Sequence, residues 1–177
     1  EAGEEVWSQL GGEACAARAG AVQEREPEVA RSHSESASGE RLEIEYLGPP
    51  AEMAEAVHNS LAEDLRRGTT SVGPHRDDVR VNLDGRDARA YGSQGQQRTA
   101  VVSLKLAEAA LIAGRTGERP VLLLDDVLSE LDGERRSALL RQVAGAGQVI
   151  ITSVEAGPFP PELISSARVW TVSGGEI

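Results

Sequence analysis

A chain of 177 residues is long enough for one domain, or for one lobe with an appendage. Its hydrophobic content of 40% excludes disorder along the whole chain. Its longest apolar run, residues 109–113, is far shorter than the ~20 residues that cross a bilayer, so we expect no membrane span. The net charge of −11 excludes a uniformly basic surface for nucleic acid.

Basic residues are concentrated in the middle of the chain. Residues 66–119 hold 10 basic and 6 acidic side chains, whereas residues 1–65 hold 4 and 15, and residues 120–177 hold 4 and 8. The middle block could contact phosphates, although a solvated face without a partner is the alternative. Because aromatic residues make up only 3% of the chain, any DNA contact is expected to be with the duplex backbone rather than with stacked bases.

The single cysteine, Cys15, cannot form an internal disulfide, which suits a reducing compartment. We therefore expect a cytoplasmic protein. The sequence begins at Glu1 without a methionine and shows no charged-then-apolar leader. We expect it to be a fragment or a processed product.

The first part of the chain is predicted to be mainly helical. A modest apolar stripe over residues 6–21 indicates a helix that is interrupted at Gly11-Gly12, and residues 32–39 are polar and rich in serine, as in a loop. Alternating apolar residues at 42–46 predict a half-buried strand. A second helix is predicted over residues 51–67.

The second part alternates strands and helices. Apolar residues alternate over 79–83, and Asp84-Gly85 then predicts a tight hairpin turn with a returning strand at 86–91. A long helix is expected from the stretch SQGQQRTA, residues 93–100, to about Gly114. The later predicted elements are a strand at 121–124 buried on both faces, a helix at 134–143, a strand within 148–153 and an edge hairpin at 168–177. This order predicts half of a parallel α/β sheet.

The stretch SQGQQRTA has the pattern of a helix N-terminus. Ser93 is followed three positions later by Gln96, which is the spacing of a capping box. A helix that begins here presents free amides and the positive end of its dipole, both of which favour an anion. Gly95 leaves the backbone open to a phosphate oxygen. An ordinary capped helix without a ligand is the alternative.

Two acids, Asp125 and Asp126, follow the predicted buried strand. Parallel sheets bind ligands beyond the carboxyl ends of their strands, where two carboxylates can hold Mg²⁺ and orient a water molecule. A polar strand end that caps the next turn is the alternative. Adjacent like charges are costly without a cation or donors nearby, which favours the metal interpretation.

Three segments, taken together, resemble the ATPase heads of the ABC and SMC superfamily. They are GPHRDD at 73–78, SQGQQRTA at 93–100 and LLLDDVLSELD at 122–132. Within that superfamily they resemble the C-terminal half of the RecF family of bacterial recombination proteins. The resemblance implies an α/β fold, mainly a parallel sheet with flanking helices, plus part of a helical arm or lid. It places the arm or lid portion, with one strand, at residues 1–68 and the C-terminal lobe of the head at 69–177.

The resemblance also implies roles for individual residues. The signature motif, which contacts ATP bound to the opposite subunit, would consist of Ser93, Gln94, Gly95, Gln96, Gln97 and Arg98. Asp125 would be the Walker B aspartate that supports Mg²⁺, and Asp126 would be the catalytic residue that orients water. The D-loop at the dimer interface would be Ser129, Glu130, Leu131 and Asp132. Thr152 and Ser153 lie where many relatives have a switch histidine.

Four departures from the family pattern bear on activity. Gln94 replaces the first glycine of the usual signature, and Asp126 is shorter than the usual glutamate. The change at Gln94 implies a less close contact with phosphate. The shorter Asp126 and the hydroxyls at the switch position both imply slow hydrolysis. No G-x-x-x-x-G-K-[ST] sequence occurs in these residues, so we expect the P-loop in an N-terminal half and no ATPase activity from this fragment alone.

Two classes of function remain open. By resemblance, the intact protein would be a DNA-repair ATPase with ATP and Mg²⁺ as cofactors, an ATP-dependent homodimer that clamps DNA at gaps or junctions. The family implies RecO and RecR as partners in loading RecA. The alternative is a Mg²⁺-dependent nucleic-acid phosphohydrolase that uses Asp77, Asp78, Asp125 and Asp126, and a non-catalytic interaction domain is a third interpretation. His75 beside two aspartates could belong to a metal cluster, although a loop histidine is the commoner explanation.

Overall fold

The protein is represented by a computed structural model, which describes residues 2–36, 39–49, 53–129, 131–155, 157 and 159–176. The helices are α1 (Ala2–Ser36), α2 (Met53–Arg67), α3 (Ala88–Tyr91), α4 (Gln94–Thr116), α5 (Gly133–Ala144) and α6 (Pro161–Ser166), with a 3₁₀ turn at Pro74–Arg76. The strands are β1 (Leu42–Leu47), β2 (Asp78–Leu83), β3 (Arg86–Asp87), β4 (Leu122–Asp125) and β5 (Val149–Thr152). Along the chain, an antiparallel sheet of three strands is followed by a sheet of two parallel strands, in agreement with the predicted mixture of helices and parallel strands.

Helix α1 is longer and more regular than the sequence predicts. It runs through Gly11-Gly12 without interruption and continues to Ser36, so the loop predicted at 32–39 is wrong over its first part. Packing explains both differences, because tertiary contacts override the low helix propensity of glycine and serine. Gly11 lies against Pro74 and Met53, and Ser36 is buried, with its hydroxyl bonded to the carbonyl of Ser32 over 2.8 Å.

The first sheet is antiparallel, in the order β1-β2-β3. The predicted hairpin turn is present, with Asp84 and Gly85 both at positive φ, 49° and 74°. The predicted returning strand at 86–91 is wrong beyond its first two residues. The Asp87 carboxylate accepts hydrogen bonds from the amides of Arg89 and Ala90, over 2.7 and 3.2 Å, and so caps the short helix α3.

The second sheet consists of β4 and β5, which are parallel, with Asp125 opposite Thr152 at their ends. One face packs on α4 and α5 in a core formed by Val102, Leu122, Leu124, Leu128, Leu131, Leu139, Leu140 and Val143. The prediction that β4 is buried on both faces is wrong here, because Leu123 is 71% exposed and its neighbour Ile150 is 46% exposed. A run of apolar residues indicates that both faces of a strand are suited to burial, but it does not show that other elements cover both faces.

Helix α4 packs against both sheets. Ala100 and Ala107 pack with the antiparallel sheet and α1, whereas Val102 packs under β4. It ends at Thr116 rather than near Gly114, because Gly117 adopts the left-handed conformation that terminates a helix. None of the described helices is long and apolar enough to cross a membrane.

The C-terminal segment does not form the edge hairpin predicted at 168–177. In the described residues it shows a single antiparallel bridge between Ser173 and Glu176, around Gly174-Gly175. Residue 177 lies outside the described residues. Val169, Trp170 and Val172 are each more than half exposed, so no packing holds this segment as a strand.

Candidate nucleotide site

The signature stretch forms the N-terminus of α4, as its spacing predicts. The Ser93 hydroxyl accepts a hydrogen bond from the amide of Gln96 over 3.2 Å, and Gln96 Oε1 accepts one from the amide of Ser93 over 2.8 Å. These two bonds are a complete capping box. The box orients the first turn of α4, whose remaining free amides face outward and favour an anion there.

The other signature side chains leave part of this turn open. Gln97 donates to the carbonyl of Gly92 over 3.0 Å, which closes the loop before the helix. Gln94, Gln97, Arg98 and the exposed Val101 line a shallow, open depression of about 340 Å³. This surface is where a large ligand or a second protein could contact the first turns of α4.

The two acids after β4 share one hydroxyl. Thr152, at the end of the adjacent strand β5, donates its hydroxyl hydrogen to Asp125 Oδ1. The hydroxyl oxygen of Thr152 in turn accepts a hydrogen bond from the amide of Asp126 over 3.1 Å. Because β4 and β5 are parallel and in register, their carboxyl ends bring Thr152 and the acids together.

Asp126 has a strained backbone that three neighbours hold in place. Its φ is 48°, in the left-handed region that few residues other than glycine, asparagine and aspartate adopt. Its carbonyl accepts hydrogen bonds from Arg98 Nη1 over 2.8 Å and from the Ser129 hydroxyl over 3.0 Å, and its amide donates to Thr152. Strain of this kind persists only where the surroundings fix it, and it is frequent at functional sites. Arg98 thus connects the signature helix to the acids within one subunit.

Both acids are exposed and suit a cation that is shared with a ligand. Among the described residues, no group of three or more acids, histidines or cysteines is placed to hold a metal by itself. Mg²⁺ is commonly held by one or two carboxylates together with phosphate oxygens and water. Asp125 and Asp126 therefore fit a Mg²⁺ that arrives with a nucleotide.

The segment assigned as the D-loop is fixed at both ends. Leu131 is buried in the core, and its carbonyl accepts a hydrogen bond from Arg136 Nη2 over 2.9 Å. Asp132 caps α5 by accepting from the amide of Arg135 over 2.9 Å. Ser129 is exposed and bonded to Asp126, whereas Glu130 lies outside the described residues. Of the described residues of this segment, Ser129 and Asp132 are exposed and held in place, so they can contact another surface.

The two hydroxyls at the switch position differ in their surroundings. Thr152 contacts both Asp125 and Asp126. Ser153 instead donates to the carbonyl of Glu155 over 2.8 Å and stabilises the following turn. Only Thr152 of this pair reaches the acids.

The GPHRDD segment is away from this site and has a different role. The Asp77 carboxylate, whose side chain is 4% exposed, accepts hydrogen bonds from Tyr46, from Cys15 Sγ over 3.2 Å and from Arg18 over 3.3 Å. Burial alone would raise the pKa of Asp77, but these donors outweigh it and lower the pKa below its ordinary value. Burial, followed by the bond to Asp77, raises the pKa of Tyr46 well above its ordinary value. Asp77 thus anchors the segment to α1 and β1.

This arrangement argues against the phosphohydrolase alternative. Asp78 begins β2 in the antiparallel sheet, whereas Asp125 and Asp126 lie at the end of β4 in the parallel sheet. His75 bonds the carbonyl of Thr70 over 2.9 Å, so it is a satisfied loop histidine within the described structure rather than a member of a metal cluster. The four aspartates do not form one site.

Sequence reasoning missed a buried polar cluster behind the signature motif. Glu40 Oε1 accepts hydrogen bonds from Gln96 Nε2 over 2.7 Å and from Arg135 Nη2 over 3.1 Å. His33, which is fully buried, lies with its Nε2 atom 4.0 Å from Glu40 Oε2. No local pattern signals this cluster, because Glu40 is 56 residues from Gln96 and 95 from Arg135 along the chain.

The chain is similar to several bacterial RecF proteins. DNA replication and repair protein RecF of Lactobacillus delbrueckii subsp. bulgaricus is 45% identical over 139 residues, which are 76% of this chain and 36% of that protein. RecF of Moorella thermoacetica is 41% identical over 164 residues, 91% of this chain and 44% of that protein. RecF of Synechococcus sp. (strain JA-3-3Ab) is 40% identical over 182 aligned positions, 95% of this chain and 48% of that protein.

A solved structure of the recombination mediator protein RecF with ATP, in the RecFOR pathway, superposes with a TM-score of 0.73 at 34% identity. It covers 86% of this chain and 44% of that one. The chain matches the C-terminal portion of bacterial RecF. It spans 36% to 48% of the length of these three RecF relatives. A search of protein-family models found no match.

Proposed function

We propose that the intact protein is a DNA-repair ATPase of the RecF type. It would form an ATP-dependent homodimer that clamps DNA and acts with RecO and RecR in loading RecA at gapped DNA. The observation that carries the proposal is the conjunction of a capped signature helix with two acids that Arg98 and Thr152 hold in place. The similarity to RecF in sequence and fold supports it.

The geometry favours a site that is shared between two subunits. Ser93 and the open first turn of α4 would receive the γ-phosphate of ATP held by the partner subunit. Asp125 would hold Mg²⁺, which neutralises phosphate charge when it is bound. Asp126 would orient the attacking water from its fixed position beside Ser129. Because this sequence contains no P-loop motif, we propose that the fragment alone does not hydrolyse ATP.

The two parts of the chain would have separate tasks. Residues 1–68 would be the arm or lid portion, and residues 69–177 the C-terminal lobe of the ATPase head. They are not independent bodies, because β1 of the first part pairs with β2 of the second along their whole length. Helix α1 also packs against α4 and α5. A movement of the arm would therefore be transmitted to the signature helix.

The DNA-binding part of the proposal involves only some of the basic residues. Arg66 and Arg67 pair with Glu63, and others are also paired with carboxylates: Arg80 with Glu45, Lys105 with Glu108 and Arg115 with Glu24. The side chains of Arg86 and Arg89 make no ion pair with the described residues, and they flank the start of α3. We propose that these two contact the duplex backbone.

Sedimentation of the intact protein tests the dimer. A non-hydrolysable ATP analogue should convert monomers to dimers, and ADP should not. A protein that remains monomeric with the analogue, although it binds the analogue, would contradict the proposal. Added RecO and RecR should then bind the dimer on gapped DNA, which pull-down on immobilised DNA would detect.

Salt dependence tests the DNA contact. The logarithm of the affinity should fall with the logarithm of the salt concentration with a slope of about −0.9 per phosphate contacted. Arg86→Gln with Arg89→Gln should make this slope shallower, by about 0.9 for each phosphate that the protein no longer neutralises. The matched control is Arg66→Gln with Arg67→Gln, which removes two arginines that pair with Glu63 and should leave the slope unchanged. Equal slopes in all three proteins would exclude Arg86 and Arg89 as phosphate contacts.

A further inference from the structure

We define the Glu40 cluster as His33, Glu40, Gln96 and Arg135. It lies where the helices α1, α4 and α5 approach the residue that precedes β1. His33 is in the last turn of α1, Gln96 in the first turn of α4 and Arg135 in the first turn of α5, and Glu40 precedes β1. The side chains of Glu40 and Arg135 are 15% and 12% exposed. One carboxylate oxygen of Glu40 receives both the amide of Gln96 and the guanidinium of Arg135.

Gln96 belongs to the signature stretch of the proposed nucleotide site, and Arg135 contacts the last residue of the D-loop. Gln96 closes the capping box on Ser93 with its Oε1 atom while its Nε2 atom donates to Glu40. Arg135 donates to Glu40, and its Nε atom lies 3.8 Å from Oδ2 of Asp132, the last residue of the D-loop. Hydrogen bonds thus connect Ser93 through Gln96 and Glu40 to Arg135, which reaches Asp132 by this 3.8 Å ion pair and by the bond from its backbone amide to Asp132 Oδ1 over 2.9 Å.

His33 lies beside the carboxylate oxygen of Glu40 that Gln96 and Arg135 do not use. The Ser103 hydroxyl lies 3.1 Å from His33 Nδ1 and 2.9 Å from the carbonyl of Thr99, so His33 Nδ1 has a hydrogen-bond partner. Burial lowers the pKa of His33, although the charge of Glu40 opposes this shift. His33 Nε2 lies 4.0 Å from Glu40 Oε2, and neither atom has a hydrogen-bond partner in the described structure. The bonded oxygen of Glu40 is the one that faces the site.

We propose that Glu40 is a positioning residue that fixes the distance and orientation between the signature helix and the D-loop. This inference rests on the proposed function, in which both segments contact the partner subunit. A dimer interface built from two segments of one subunit requires that both be held in one arrangement. Small misplacements of positioned groups are costly, with losses of up to about 10²-fold in rate for a displacement of about 1 Å.

The ion pair between Glu40 and Arg135 decides which variant can break this connection without leaving one of the two charges unpaired. Glu40→Ala alone would leave the mostly buried Arg135 with only the exposed Asp132 carboxylate, 3.8 Å from its Nε atom, as a counter-charge, and removing one partner of a mostly buried pair is destabilising. Glu40→Gln keeps an acceptor for Gln96 and Arg135, and its new amide can donate to His33 Nε2. Glu40→Gln combined with Arg135→Met removes both charges together and keeps an acceptor for Gln96. It removes the side-chain contacts of Arg135 with Glu40 and Asp132, whereas the backbone amide at position 135 still caps α5 through Asp132.

The experiment uses the intact protein and compares these variants by sedimentation with a non-hydrolysable ATP analogue. The matched control is Ser36→Ala, because the Ser36 hydroxyl bonds Gln142 over 2.8 Å and so connects α1 to α5 without touching the signature helix. Nucleotide affinity of the monomer and the thermal midpoint are measured alongside. These two measurements separate positioning from loss of the fold.

We expect dimer affinity close to wild type for Glu40→Gln and for Ser36→Ala. The double variant should lose at least about 10-fold in dimer affinity while its monomer binds nucleotide as wild type does. Dimer affinity of the double variant equal to that of Glu40→Gln would overturn the inference, and so would an equal loss in Ser36→Ala. A wild-type protein that binds the analogue and stays monomeric would instead overturn the proposed function, and this inference with it.

Discussion

The Thr152 hydroxyl donates a hydrogen bond to Asp125 Oδ1 across the parallel pair β4 and β5. Its oxygen also accepts the amide of Asp126 over 3.1 Å, so one hydroxyl orients the proposed metal ligand and the strained residue beside it. A residue of similar shape without a hydroxyl could make neither of these two hydrogen bonds.

Thr152→Val should therefore lower ATP hydrolysis of the intact protein by about 10-fold or more, because it removes an orienting hydrogen bond at constant shape. Thr152→Ser keeps the hydroxyl and should retain most of the activity. Steady-state phosphate release at saturating ATP measures both variants. Equal rates for valine and threonine would show that the hydroxyl does not position the acids during turnover.

Asp126→Asn tests the charge of the proposed catalytic residue. Asparagine also tolerates the left-handed backbone at φ 48°, so this change removes the charge with little effect on the fold. The variant should bind ATP but hydrolyse it at least ~10²-fold more slowly, the scale of positioned base catalysis. Single-turnover assays with equilibrium binding of nucleotide separate the two steps. An unchanged rate would assign the water-orienting role to another group.

Local signals in the sequence predicted the capping box and the acid pair. The spacing of Ser93 and Gln96 was sufficient, because a capping box involves four consecutive residues. The position of Asp125 and Asp126 at the carboxyl end of a parallel strand followed from the apolar run before them and the alternation of strands and helices. Both features depend on few residues and on regular elements, which is why a single sequence could predict them.

Features that depend on distant packing were not predictable in this way. Residues 32–36 have the composition of a loop, yet burial of His33 and Ser36 against other elements extends α1 through them. Glu40 has the sequence context of an ordinary surface acid and becomes a buried acceptor only when Gln96 and Arg135 reach it. Tertiary contacts override local propensity at such positions.

Asp77 should give the protein an acid-sensitive contribution to stability. Its pKa is lower in the folded state than the ordinary value of ~3.9, because hydrogen bonds outweigh the opposing effect of burial. The contribution is thus fully present above about pH 4 and is lost as the pH falls through the folded pKa. Replacement by a neutral residue should remove this dependence.

Urea unfolding of the wild type and of Asp77→Asn between pH 7 and pH 3 measures this contribution. The variant should be less stable by a constant amount above about pH 4, and the difference should shrink below it. Asp78→Asn is the matched control, because the carboxylate of Asp78 bonds only the amide of Val79 among the described contacts. A difference between wild type and Asp77→Asn that grows on acidification would contradict the assignment.

Ser93 distinguishes a simple helix cap from a ligand contact. If it is a cap only, Ser93→Ala should weaken the intact protein by about 0.5–2 kcal/mol and leave ATP-driven assembly intact. If Ser93 meets ATP held by the partner subunit, Ser93→Arg should leave nucleotide binding to one subunit nearly normal, because we propose that a P-loop in the N-terminal half, and not the signature stretch, builds most of that pocket. The arginine cannot fit against the partner's nucleotide, so ATP-dependent dimerisation should be abolished and hydrolysis with it. Sedimentation of Ser93→Arg with a non-hydrolysable ATP analogue decides between the two, since a normal dimer would mean that the capping box of α4 has no role beyond starting the helix.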